Sequence, residues 1–77
     1  MSFPNRTVVE TVRRNFPAGS RVELVRMDDP YSRLKPGSKG TVQSVDDTGT
    51  IHVRWDCGSS LGVVYGEDSC RRIGSEI

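Results

Sequence analysis

A mainly β fold, five short strands forming a small barrel with a short N-terminal α-helix, is predicted by three features of this 77-residue sequence. The hydrophobic period changes near Gly19, from about every fourth residue before it to every second residue after it. The later part breaks into short apolar runs bounded by Gly, Pro, Asp and Ser. Two of those boundaries, "DDTG" at 46–49 and "DCGS" at 56–59, have the Asp-before-Gly chemistry of tight hairpin turns. A chain this short holds one domain, near the size at which a single core is marginally stable. Residues 1–18 are read as the helix and its linker, packed on a barrel built from 19–77.

The helix is expected in "NRTVVETVRRNF", residues 5–16. Val8, Val12 and Phe16 recur every four residues and Val9 widens the stripe, so one face is apolar. Thr7 and Glu10 have the spacing of a capping box, in which each side chain satisfies a backbone donor of the first turn. Glu10 and Arg14 are spaced for an outer-face pair, and Pro17 and Gly19 stop the helix. Valine-rich helices are intrinsically weak, so this one must dock to persist.

After Gly19, "SRVELVRM" alternates, with Val22 and Leu24 on one face and Arg21 and Glu23 on the other. "KGTVQSV" and "TIHVRW" follow, the latter with Ile51, Val53 and Trp55 opposite His52 and Arg54. "SSLGVVY" supplies Leu61 and Val63, and "SCRRI" makes a last short strand. The two tight turns make strands two, three and four an antiparallel meander. One long first loop followed by a meander suggests a barrel of the SH3-like type. An OB-fold also uses five strands but needs a longer chain and an internal helix.

Composition narrows the function classes. Eleven basic and ten acidic side chains give a net charge of +1. The basic excess from which nucleic-acid modules draw their affinity is therefore absent, leaving room only for a weak local patch. No run is long and apolar enough to span a membrane. The start, "MSFPNRTVVE", lacks a charged segment followed by an apolar one, so the expected address is the cytoplasm. Cys57 and Cys70 are too few for the framework of a small secreted domain, and free thiols are expected. A monomer is expected rather than an oligomer.

The strings "RVELV", "MDDPY", "LKPGSKGTV" and "IHVRWDCGSSL", with "YGEDSCRRI" after them, carry a resemblance that covers most of the chain. Together they resemble a family of small bacterial proteins classed only as a domain of unknown function. The resemblance implies an SH3-like fold with members on plasmids and in phages, and it implies no catalytic residue. More distantly, Gly37-x-x-Gly40-x-Val42 and Val53-x-Trp55-Asp56-x-Gly58 are similar to patterns in ribosome-, transcription- and ligase-associated barrels that bind RNA or proteins. Two positions depart from what those patterns favour. Cys57 stands where Asn before Gly would form the better turn, and Cys70 where a larger apolar residue would be expected.

No enzyme is expected. His52 is the only histidine and strand parity turns it outward, with no nucleophile or orienting group argued from spacing. Asp28-Asp29 and Asp46-Asp47 lie in turn sequences, where Asp is favoured for its own backbone hydrogen bonds. Two cysteines and one histidine do not fill a tetrahedral zinc site, so neither a metal nor another cofactor is expected. Trp55 shares the parity of Ile51 and Val53, which makes it a core residue rather than a stacking platform for a base or a proline.

The first loop is the candidate site. "LKPGSKG" is mainly architecture, but "DDPYSR" contains Pro30 and Tyr31, which no tight turn requires, in a loop long for so small a domain. Asp28, Asp29, Tyr31, Arg33 and Lys35 are the candidate contacts of a non-enzymatic module that binds another protein. The equally open alternative makes Tyr31 a lid on one end of the barrel. A weak nucleic-acid role would use Arg21, Arg33, Lys35, Lys39 and Arg54, and their clustering on one face would favour it.

Overall fold

The computed structural model describes residues 5–27 and 34–74. Helix α1 (Arg6–Asn15) precedes five strands: β1 (Arg21–Arg26), β2 (Lys39–Val45), β3 (Ile51–Trp55), β4 (Gly62–Val63) and β5 (Ser69–Arg72). All pair antiparallel in one sheet ordered β4-β3-β2-β1-β5. The two edge strands are joined by the link 64–68, and the curled sheet makes the expected barrel-like globule. The link is tied internally, because Glu67 and Asp68 donate backbone N–H groups to the Val64 carbonyl and Val64 donates its own to the Asp68 carboxylate at 3.0 Å.

Period-two burial holds on β1 and β3. Val22, Leu24, Ile51, Val53 and Trp55 are buried, and Arg21, Glu23, His52 and Arg54 face the other way. A one-residue slip would expose the whole apolar set, so one-sided burial fixes the register. Both hairpin turns form where Asp precedes Gly. Gly49 (φ 83°) and Gly58 (φ 98°) take the left-handed backbone that a Cβ resists.

Four expectations are corrected. Asn5, not Thr7, caps α1: its side chain accepts from the Val8 N–H at 2.9 Å, which starts the helix one residue before Thr7. Glu10 reaches back to Arg6 at 4.0 Å rather than forward to Arg14. The fourth strand is only Gly62–Val63, and Leu61 is exposed while Val63 is buried. Instead of filling the core, Leu61 offers its carbonyl to the Trp55 indole N–H at 2.9 Å. His52 is not simply solvated but is held by Asp46, as described below.

Helix α1 docks as its stripe requires. Val9 and Val12 are buried, and Val8 and Phe16 pack on the core from its margin. Arg13 ties the helix to the β2–β3 hairpin, donating to the Val45 carbonyl at 3.1 Å and to the Asp47 carboxylate at 2.7 Å. The end of the first loop is architectural. Leu34 is buried in the core, Gly37 donates to the Leu24 carbonyl at 2.8 Å, and Leu24 donates to the Ser38 carbonyl at 2.7 Å.

Candidate functional site

The outer face of the sheet gathers charge by register. Arg21, Thr41 and Arg54 form one row across β1, β2 and β3, and Arg71, Glu23 and Lys39 form the next across β5, β1 and β2. Arg21 grips Asp56 with both ends of its guanidinium, at 2.8 and 2.6 Å, and also donates to the Thr41 hydroxyl at 3.0 Å. Arg71 donates to Glu23 at 2.6 Å. The fork hydrogen bond raises the Arg21 pKa and lowers that of Asp56, which the nearby charge of Lys39 lowers further. Exposed pairs of this kind add little stability, but a two-pronged arginine–carboxylate contact fixes where both charges point. Lys39 and Arg54 are exposed beside them, and neither is held in an ion pair among the described residues.

On the other face, α1 and the 64–68 link wall a cavity of about 680 Å³. Its floor is apolar, made by Val12, Phe16, Ile51, Val63 and Cys70. Tyr65, 51% exposed, stands on the link side. Burial pushes the Cys70 thiol up to about 11, so this sulfur is a poor nucleophile. Cys57 is free and exposed in the β3–β4 turn.

A third cluster closes the β2–β3 hairpin. One oxygen of Asp46 accepts from the Thr48 N–H at 2.9 Å, the Thr48 hydroxyl at 2.6 Å and the Thr50 N–H at 3.1 Å, and the other accepts from His52 Nε2 at 2.8 Å. The Thr48 hydroxyl, then His52 and the two backbone donors, hold the Asp46 carboxyl far below its ordinary 3.8. A depressed carboxylate stabilises the fold at neutral pH and loses that contribution as pH falls below the ordinary value toward the lowered one. Asp46→Asn is therefore expected to lower the melting temperature by a few degrees at pH 7 and to narrow its gap from the natural sequence below about pH 3. Melting curves from pH 2 to 7 check this, and parallel curves across the range would exclude the role.

The family comparison matches residues 5–73 to DUF4314, a domain of unknown function. The chain belongs to this family. No match is found among curated proteins. The DUF4314 match thus spans the helix and all five strands, and its description names no activity to place on them.

Of the first-loop candidates, Asp28, Asp29, Tyr31 and Arg33 lie outside the described residues. Lys35 is exposed, and its backbone serves the turn, with its N–H to the Ser38 hydroxyl at 3.3 Å and its carbonyl to the Ser38 N–H. Of the basic set, Arg21, Lys39 and Arg54 share the outer face. Glu23, Asp56 and Arg71 also lie on that face and are not among the candidate contacts drawn from the sequence. Strand parity already sets Glu23 beside Arg21 without marking it as a contact, but Asp56 joins only because Arg21 reaches it across 35 residues of chain.

Proposed function

We propose that the chain is a non-enzymatic binding module whose partner is another protein, met by the outer face of β1–β3 and the adjoining first loop. One observation carries the reading. The basic residues of this face are interleaved with carboxylates, Arg21 with Asp56 and Arg71 with Glu23, in fixed pairs. Alternating, oriented charges suit a partner of complementary pattern, for which they supply specificity and steering. Asp28, Asp29, Tyr31, Arg33 and Lys35 are proposed as further contacts on sequence grounds alone. The resemblance adds a bacterial, plasmid- or phage-linked setting, and the reading takes the compartment to be the cytoplasm and the chain to be a monomer.

The clustering of Arg21, Lys39 and Arg54 favours a second reading, weak nucleic-acid binding. Against it, a phosphate backbone laid on this face would meet Glu23 and Asp56. The double variant Lys39→Glu, Arg54→Glu separates the two. Capture of the partner from lysate should survive nuclease and be lost with the reversed charges, while melting temperature moves by only a few degrees because both side chains are exposed. Capture that vanishes on nuclease treatment and weakens steeply with salt would assign the face to nucleic acid. Capture indifferent to both would remove the face from function.

A further inference from the structure

We propose that the cavity between α1 and the 64–68 link is a second, separate site, which takes a short extended peptide segment pairing an apolar side chain with a lysine or arginine. This goes beyond the outer-face reading, since the cavity lies on the opposite face of the sheet.

Shape argues for a linear occupant. Thr7, Thr11 and Asn15 line one wall at four-residue spacing, so they form a polar row slightly inclined to the helix axis. At the α-helical rise that row is about 12 Å long, the span of three or four residues of extended chain. The Thr11 hydroxyl donates to the Thr7 carbonyl at 2.9 Å, leaving its oxygen free to accept from a peptide N–H. The apolar floor below the row, at about 680 Å³ in all, can seat one large side chain. Tyr65, exposed at its edge, is of the residue type that anchors protein contacts.

Charge selects the neighbour of that side chain. Arg26 and Asp68 both line the cavity and are both already engaged, Asp68 partly by the Val64 N–H. Glu67 also lines the cavity, is exposed, and holds no ion pair among the described residues. Among the described residues of the lining its carboxylate is the charge left uncommitted, so a cationic residue beside the buried one completes it, whereas an acidic segment or a phosphate would be repelled.

The test pans a phage-displayed random heptapeptide library against the whole chain, then follows one enriched synthetic peptide by amide chemical shifts. Enriched sequences should place Lys or Arg within two positions of an aliphatic or aromatic residue, and the shifts should fall on Thr11, Tyr65, Glu67 and Cys70. Tyr65→Ala should weaken binding about tenfold. Glu67→Lys should weaken it similarly and shift preference to the peptide's acidic counterpart. Both residues are exposed, and an amide spectrum of each variant shows whether it is folded. No enrichment, enrichment without a basic residue, or binding of a small apolar molecule but of no peptide would overturn the proposal. So would shifts confined to Lys39 and Arg54, which would leave the outer-face function standing.

Discussion

Trp55→Ala is expected to leave most molecules unfolded at room temperature. The indole is 1% exposed in a core shared with Val22, Leu24, Val42 and Val53, the other large side chains that are fully buried. Truncating a buried tryptophan costs ~3–5 kcal/mol, and a domain of this size has on the order of that much stability in total. Trp55→Phe separates volume from hydrogen bonding. It keeps an aromatic ring and abandons the bond to the Leu61 carbonyl, but Leu61 is an exposed residue whose carbonyl can turn to water. Phe should therefore cost only ~1–2 kcal/mol. Urea unfolding followed by far-ultraviolet circular dichroism measures both variants, and the emission maximum of the natural chain tests the burial directly. A folded Trp55→Ala with an unchanged midpoint, or a water-like emission maximum in the natural chain, would return Trp55 to the surface and to the stacking role that parity argued against.

The strands were legible because burial is one-sided. Val22 and Leu24, then Ile51, Val53 and Trp55, alternate with charged or polar residues, and only one register buries them all. The helix was legible for the same reason at period four, but its first residue was not. Asn5 and Thr7 are both good caps, and only the backbone path shows that Asn5 reaches Val8. Leu34 escaped notice because a lone leucine in a polar loop has no period to reveal it. Leu61 and Val63 share parity, yet the fourth strand begins only at Gly62, which leaves Leu61 in the turn. The candidate sites were least legible. The Arg21–Asp56 fork depends on which strands are neighbours, and the cavity depends on where the helix lies against a link some fifty residues later, and neither arrangement is written in a local pattern.

Gly40→Ala is expected to destabilise the barrel by ~1–3 kcal/mol or more, an unusual loss for one added methyl group. Gly40 sits on the inner face of β2, opposite Val22 on one side and Trp55 on the other. A Cβ there would lie 2.7 Å from a Val53 methyl, 2.8 Å from the Arg54 carbonyl oxygen and 2.9 Å from the Trp55 Cα. Two of those three atoms are backbone, so no rotamer change can make room. The strands would have to separate, loosening the register that aligns Arg21, Thr41 and Arg54 on the outer face. Gly74→Ala is the control, since no atom of the described residues lies within 4 Å of the position its Cβ would take. It should be neutral or slightly stabilising, because alanine restricts the unfolded chain more than glycine does. Urea midpoints with unchanged slopes would report both effects as changes in stability alone. If Gly40→Ala keeps the natural midpoint, β2 and β3 do not approach this closely in solution, and the outer-face row of charges loses the spacing on which the proposed function depends.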